Sequence, residues 1–279
     1  MSRPLRQGSG QAYAEVIGDP ISHSKSPLIH NFWLGKLGID AEYRACHVKP
    51  ETLADYFAQR RGDAAWQGCN VTIPHKLAAM ASVDTLSDDA QSIGALNTVT
   101  PHGAGDSGSL AGYNTDCAGF LEPLGERQFD VVTLIGAGGA ARAVLAGLAS
   151  RGARWVSLQN RNQAKAEALL ADFGLIGCVV GLGDPVRPAE LLVNTSSLGM
   201  SGQPELPAVE NGVVDGGLVY DIVYAPLETR LLKAARARGL ATIDGLAMLI
   251  GQAAVAFELF FGQSAPREHD AELRALLTA

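Results

Sequence analysis

Short apolar runs alternate with stretches of helical spacing along the chain. The runs that read as strands are Ala14 to Ile17, Glu42 to Val48, the start of Gly68 to Lys76, Ile93 to Val99, Val131 to Ile135, Trp155 to Leu158, Leu191 to Val193 and Leu218 to Val223. Between them, apolar residues three and four apart predict helices. Leu28, Ile29, Phe32, Trp33 and Leu37 make one such face, stopped by Gly38. Leu53 to Phe57, Cys117 to Leu124, Ala143 to Leu148 and Leu227 to Arg238 make others. Leu246 to Phe261 is the most apolar late stretch; it carries Gln252 and Glu258 and is shorter than a bilayer span, so it reads as a buried helix. Gly18 to Pro27 is a turn-rich loop, and Thr100 to Leu110 has the polar, glycine-rich look of a hairpin tip. Strands alternating with helices predict an α/β fold with a parallel, doubly wound sheet. Ligands of such sheets bind beyond the carboxyl ends of the strands, which points to the loops after Leu158, Val193 and Val223.

Composition narrows this. At 279 residues, 47% hydrophobic and 18% charged, the chain suits about two packed domains. A net charge of -7 and no run of Lys and Arg argue against a general nucleic-acid or membrane-surface partner. Cys46, Cys69, Cys117 and Cys178 are scattered without a CxxC pair, which fits a reducing compartment and no zinc site. Residues 1–13 are polar, with no apolar core after their basic residues, so no signal peptide is expected. The chain therefore reads as a cytoplasmic globular protein.

Candidate chemistry starts at Val131 to Arg142, VVTLIGAGGAAR. An apolar strand, a G-x-G-x-x-A turn and a helix form the context of a dinucleotide fingerprint. Gly136 permits the tight turn, Gly138 lets a pyrophosphate approach, and Ala141 keeps helix and strand close. A glycine turn with no ligand is the plainer alternative. A protein selecting NAD places Asp or Glu about 20 residues further on, to hold the ribose 2′-OH. Here Asn160 and Arg161 stand in that place, with Lys165 one helical turn later. An arginine suits a 2′-phosphate by charge-assisted bonds.

Other polar residues admit two readings. Ser24 and Ser26 precede or open the first helix, where hydroxyls cap helix N-termini or hold a carboxylate. Lys76 falls in the first turn predicted after Pro74, where a cation opposes the helix dipole; it is either solvated or has a task. Asn70 and Thr72 share a strand end, and backbone capping is their plain reading. Asp116 is a helix cap or a functional carboxylate. Gln252, on an apolar face, needs a partner if buried.

In order, HSKSP, NVTIPHK, ALNTV, GYNTD, GAGGAARA, NRN, YDIVY and GLAMLIGQA occur within the stretch from Gly18 to Gly262. In this the chain resembles the shikimate dehydrogenase family. The resemblance implies reversible reduction of 3-dehydroshikimate to shikimate with NADPH, in aromatic amino-acid biosynthesis. It implies a discontinuous fold: residues 1–115 as the substrate domain, 116–245 as the Rossmann NADP domain, and helices of 246–279 returning to the substrate domain, with the active site in the cleft. Position by position, it makes Lys76 and Asp116 the catalytic pair. It makes Ser24, Ser26, Thr72, Asn97, Tyr224 and Gln252 substrate contacts. Gly136, Ala137, Gly138, Gly139 and Ala140 match the pyrophosphate loop, and Asn160, Arg161 and Lys165 the 2′-phosphate clamp. Ile222 and Gly245 match positions lining the nicotinamide, with Met248 nearby, and Asp88 falls where the family often has an acidic cofactor contact. The chain departs from the family at Asn162, where the clamp often has threonine, and its first 13 residues lie outside the resemblance. A small-molecule substrate, no metal, no nucleic acid or membrane, and a monomer or homodimer are expected.

The chemistry so implied needs a hydride donor, a proton relay and a grip on a charged polyol. Quinate dehydrogenases share the fold and the lysine, but their second serine position tends to be threonine, so Ser26 favours shikimate. A nucleotide-sensing relative without catalysis would be expected to lose Lys76 or Asp116, and both are present. Methylene-tetrahydrofolate dehydrogenases also use a lysine but have no need of the Ser-x-Ser loop.

Overall fold

A computed structural model describes Leu5, residues 10–102 and residues 108–279. The chain divides into two compact units, Met1–Thr115 with Gln252–Ala279, and Asp116–Gly251.

The first unit begins with β1 (Ala12–Gly18), α1 (Ser26–Leu37), β2 (Ala41–His47), α2 (Leu53–Arg61) and β3 (Trp66–Val71). It continues with β4 (Thr85–Leu86), α3 (Asp88–Ile93), β5 (Thr98–Pro101) and β6 (Leu110–Tyr113). Its strand order is β2-β1-β3-β5-β6-β4. β1 is parallel to β2 and β3, whereas β5 is antiparallel to β3 and β6. Strand alternation gives the sheet two buried faces. Tyr13, Ile17, Cys69 and Val71 pack with Tyr56 and Phe57 of α2 on one. On the other, Tyr43 stacks on His30 of α1, beside Phe257 and Phe260 of the returning segment. Gly68, at φ 146°, makes room there: a Cβ would lie 2.6 Å from the Phe260 ring.

The second unit opens with α4 (Asp116–Leu121). It runs through β7 (Val131–Ile135), α5 (Gly139–Ser150), β8 (Trp155–Gln159), α6 (Gln163–Asp172) and β9 (Gly177–Val180). β10 (Ala189–Asn194), β11 (Val213–Asp221), α7 (Arg230–Ala237) and β12 (Ala241–Ile243) follow. α8 (Gly245–Phe261) starts in this unit and ends in the first, which α9 (Asp270–Thr278) closes. Every pairing in the second sheet is parallel, in the order β12-β11-β10-β7-β8-β9. This is the doubly wound order, whose direction reverses between β7 and β10. Ala141, Val144, Leu145 and Leu148 of α5 pack on Val132 and Leu134, and Leu231, Leu232 and Ala235 of α7 pack with Leu192 and Val219. Each buried Val or Leu among these contributes about 1.5–3 kcal/mol. Among the described residues, no helix is long and apolar enough to cross a membrane.

Four local expectations are corrected. Ile93 ends α3 rather than opening a strand, because Gly94 at φ 67° closes that helix and the chain becomes extended only at Thr98. Lys76 lies in a turn before a 3-10 segment (Ala78–Ser82), not in an α-helix, so no α-helix dipole acts on it. Ser26 is the first residue of α1 and makes no capping bond; Lys25 holds the N-cap position. Between the strands expected at Trp155 to Leu158 and Leu191 to Val193 lies a further one, β9, that the apolar runs did not include. Gly177 in β9 admits no side chain, since a Cβ would lie 1.9 Å from the Val156 carbonyl oxygen. In the hairpin of β5 and β6, residues 103–107 of the expected tip lie outside the described residues, as do most of residues 1–9.

Candidate active site

In the first unit, candidate residues gather at the carboxyl ends of β1 and β3. The loop after β1 carries Ser24, Ser26 opens α1, and the Ser24 hydroxyl accepts the Ser26 N–H at 3.3 Å. Ser24 is half-buried and Ser26 buried. Between them, Lys25 donates its Nζ to the Leu277 carbonyl of α9, which ties the loop to the end of the chain. The two strand ends are fitted to each other: a Cβ on Gly18 would lie 2.6 Å from Cγ2 of Thr72. The Thr72 N–H donates to the Ile17 carbonyl at 2.9 Å.

The turn after Thr72 sets the Lys76 backbone. His75, fully buried, donates Nε2–H to the Val48 carbonyl at 2.7 Å, and its own N–H reaches the Thr72 carbonyl at 2.8 Å. The Lys76 carbonyl accepts the Leu96 N–H at 3.0 Å. Lys76 is therefore held next to the segment that carries Asn97. Asn97 lies just before β5, where its carbonyl accepts the Val71 N–H at 2.7 Å. Its Oδ1 accepts the Thr115 N–H at 2.7 Å, while its Nδ2 donates to Thr115 Oγ1 at 2.9 Å and to Gln252 Oε1 at 3.4 Å. Thus Gln252, buried on α8, has the polar partners its apolar surroundings demand. Asp116, buried, follows Thr115 directly and opens α4 at the start of the second unit. Asp88 is an exposed residue in the first turn of α3, behind the Ser87 cap, where a carboxylate complements the helix dipole.

In the second unit the turn after β7 has Gly136 at φ 100°; a Cβ there would sit 2.9 Å from Thr195 Oγ1. Ala137 is buried, while Gly139 and Ala140 begin α5. Gly138 is the N-cap of α5, and a Cβ on it would meet nothing within 4 Å. The fold thus needs glycine at 136 for the turn. At 138 it leaves an open approach to the free N–H groups of a helix N-terminus, as a phosphate requires. After β8, the Asn160 side chain donates to the Asn162 carbonyl at 2.8 Å. Asn162 itself caps α6, accepting the Lys165 N–H at 3.0 Å. Asparagine and threonine both serve as N-caps, so the departure at 162 preserves the local structure. Arg161 and Lys165 are exposed, and neither forms an ion pair among the described residues. The residues present fit a dinucleotide bearing an additional phosphate.

Beyond β11 the chain is held by an element the motifs did not reveal. Buried Asp221 accepts Thr229 Oγ1 at 2.7 Å, Asn194 Nδ2 at 2.9 Å and the Val223 N–H at 3.1 Å. Burial raises its carboxyl pKa, and these donors oppose the rise. The clasp shapes the segment with Ile222 and Tyr224, both half-buried; burial also keeps the Tyr224 hydroxyl protonated, as a neutral donor. Gly245 admits no side chain, since a Cβ would lie 2.3 Å from the Ile222 carbonyl oxygen. Met248 is packed in the unit's main core. Polar residues at the ends of apolar strands, Asn194 and Asp221, were the available signal for the clasp. His75 and Thr115 lie inside the motifs NVTIPHK and GYNTD, but the motifs gave no sign of the bonds they make.

The model of the shikimate dehydrogenase substrate binding domain matches residues 16–99, and that of the shikimate 5'-dehydrogenase C-terminal domain matches residues 245–272. Shikimate dehydrogenase (NADP(+)) of Sphingopyxis alaskensis is 56% identical over 269 residues, 96% of this chain and 97% of that protein. The crystal structure of shikimate 5-dehydrogenase from Thermus thermophilus, in complex with NADP(H) and shikimate, has a TM-score of 0.83 at 36% identity and covers 95% of this chain and 99% of that one. Quinate dehydrogenase from Corynebacterium glutamicum, in complex with NAD, has a TM-score of 0.82 at 29% identity, with the same coverage.

Proposed function

The chain belongs to the shikimate dehydrogenase family, and we propose that it catalyses the reversible, NADP-dependent reduction of 3-dehydroshikimate to shikimate. The observation that carries the proposal is the 56% identity to an NADP(+)-dependent shikimate dehydrogenase along nearly the whole of both chains.

NADPH, when bound, supplies the hydride. Gly136 to Ala140 and the N-terminus of α5 receive its pyrophosphate, and Asn160, Arg161 and Lys165 its 2′-phosphate. Ile222 and Gly245 line the nicotinamide. Met248, in the core against which Ile222 packs, and Asp88, exposed in the first turn of α3, complete the cofactor contacts. Lys76 donates a proton to the C3 oxygen in reduction and removes it in oxidation. Asp116 hydrogen-bonds the same hydroxyl region and orients the ammonium. Ser24, Ser26 and Tyr224 hold the carboxylate with neutral donors, and Thr72, Asn97 and Gln252 hold the ring hydroxyls. Such contacts, remote from the reacting carbon, lower the barrier by orientation. Ser26 is available for this role because it does not cap α1. We assign residues 1–115 and 246–279 to the substrate and 116–245 to the cofactor. The free thiols of Cys46, Cys69, Cys117 and Cys178 suit a cytoplasmic enzyme; a monomer or homodimer is our assignment for its assembly.

The test is an absorbance assay of nicotinamide reduction with shikimate and quinate, each offered with NADP and NAD. Turnover of shikimate with NADP above the other three combinations is expected. Faster turnover of quinate, or none of either acid, would overturn the assignment.

A further inference from the structure

A buried chain of hydrogen bonds crosses the first unit, and two backbone groups set its polarity. The Thr115 N–H can only donate, and it meets Asn97 Oδ1 at 2.7 Å. The Asn97 carbonyl can only accept, and Asn70 Nδ2 reaches it at 3.3 Å. Together these contacts fix which end of each amide is oxygen and which is nitrogen. Asn70 Nδ2 also donates to Thr98 Oγ1 at 3.0 Å, so the Thr98 hydroxyl gives its hydrogen to Asn97 Oδ1, at 3.1 Å. Asn70 Oδ1 is left facing Tyr43, whose hydroxyl donates at 2.6 Å. Tyr43, Asn70, Asn97, Thr98 and Thr115 are all buried, which makes each partner costly to lose.

Oxygen and nitrogen of an asparagine amide differ little in size, so packing alone does not choose between its two orientations. Hydrogen bonding does. We infer that Tyr43 is a positioning residue for the reaction: the Thr115 N–H orients the Asn97 amide, and the Tyr43 hydroxyl, through Asn70 and Thr98, reinforces that orientation, with Nδ2 toward Thr115 and Gln252. The inference rests on the reading above, in which Asn97 and Gln252 contact the substrate. Tyr43 belongs to β2, and its ring lies parallel to that of His30, with centroids 4.0 Å apart. Tyr43→Phe therefore keeps the ring stack and removes only the donor. Asn70 Oδ1 is then buried without a partner, and the chain relaxes at the end that carries Asn97.

Tyr43→Phe is expected to raise KM for shikimate about fivefold, the equivalent of one net hydrogen bond, and to leave KM for NADP unchanged. Amide hydrogen exchange at Thr115 should become faster. Thr98→Val interrupts the same chain and should reproduce this signature. The double variant should be no worse than the worse single one, because both act through one amide. Unchanged KM for shikimate in Tyr43→Phe, equal rises in both KM values, or additive effects in the double variant would each overturn the inference. A wild type that does not turn over shikimate would defeat the functional reading instead, and exchange at Thr115 would still decide whether Tyr43 holds the chain.

Discussion

The two units present loops at the carboxyl ends of parallel strands by opposite means. In the second unit the turn after β7 is made by the main chain: Gly136 adopts φ 100°, Gly138 caps α5, and the N–H groups of the helix supply the donors. Main-chain donors do not depend on side-chain identity, so only the glycines are demanding. In the first unit the loops after β1 and β3 are held by side chains reaching between elements. His75 bonds to Val48, and Tyr43, Asn70, Thr98, Asn97 and Thr115 form one chain. There every member counts, because truncating one leaves another buried polar atom unpaired. A dinucleotide turn can therefore be recognised from a few consecutive residues, whereas a polyol site is assembled from residues far apart.

The largest effect should come from a single side chain of the first unit. Lys76→Ala is expected to lower kcat about 10²–10⁴-fold, the range of a general acid–base group. Its fold should persist, because the contacts that set this turn use the Lys76 carbonyl, which alanine retains. Near-wild-type kcat in a folded variant would remove Lys76 from the proton relay.

Next come two glycines of the second unit that look alike in sequence. Gly136→Ala places a Cβ at a positive φ and 2.9 Å from Thr195 Oγ1, and should cost about 1–3 kcal/mol of stability. Gly138→Ala meets no neighbour within 4 Å and should cost less than about 1 kcal/mol, the difference between Gly and Ala at an N-cap. Its methyl would instead obstruct the pyrophosphate and raise KM for NADP. Thermal melts and cofactor titrations of the pair decide this; equal loss of stability in both would break the distinction.

Arg161→Ala probes a place where the second unit relies on a charged side chain. The wild type should prefer NADP to NAD by at least about tenfold in kcat/KM, since charge-assisted bonds are worth roughly 1.5–3 kcal/mol each. The variant should lose most of that preference through a higher KM for NADP, with its NAD reaction nearly unchanged. Equal loss with both cofactors would show that Arg161 does not read the 2′-phosphate.

At neutral pH the effect is smallest for a buried group of the first unit that the reaction does not use, and it grows only as the solution is acidified. His30 is fully buried, with both ring nitrogens unpaired among the described residues, and burial pushes its pKa down to about 3 from 6.5. The folded chain therefore resists a proton that the unfolded chain accepts. This contribution to stability is complete above about pH 6.5 and is lost, by about 1.4 kcal/mol per pH unit, as pH falls toward 3. Replacing His30 with Phe keeps an aromatic ring and removes this slope. Urea unfolding at pH 7, 6 and 5 should show the variant gaining on the wild type at each step down; a constant difference would mean that His30 is readily protonated in the folded state.

Some of this protein was determined by residues a few positions apart. The alternation of short strands and helices, the stop at Gly38, the strand–glycine–helix at 131–148 and the absence of a carboxylate after Leu158 are local patterns. Their physics is local too: backbone dihedrals, a 3.6-residue period and a free helix N-terminus. The ordered motifs between Gly18 and Gly262 marked the family in the same way. Only the tertiary structure decided that Lys76 sits in a turn, that Ser26 opens α1 without capping it, and that Ile93 ends a helix. It also decided which buried polar groups meet. Asn97 finds Thr115 across 18 positions and Gln252 across 155, and Tyr43 finds Asn70 across 27. A buried amide is stable only where its donors and acceptors are matched in space, and which residues supply them depends on the packing of the whole sheet rather than on the neighbouring sequence.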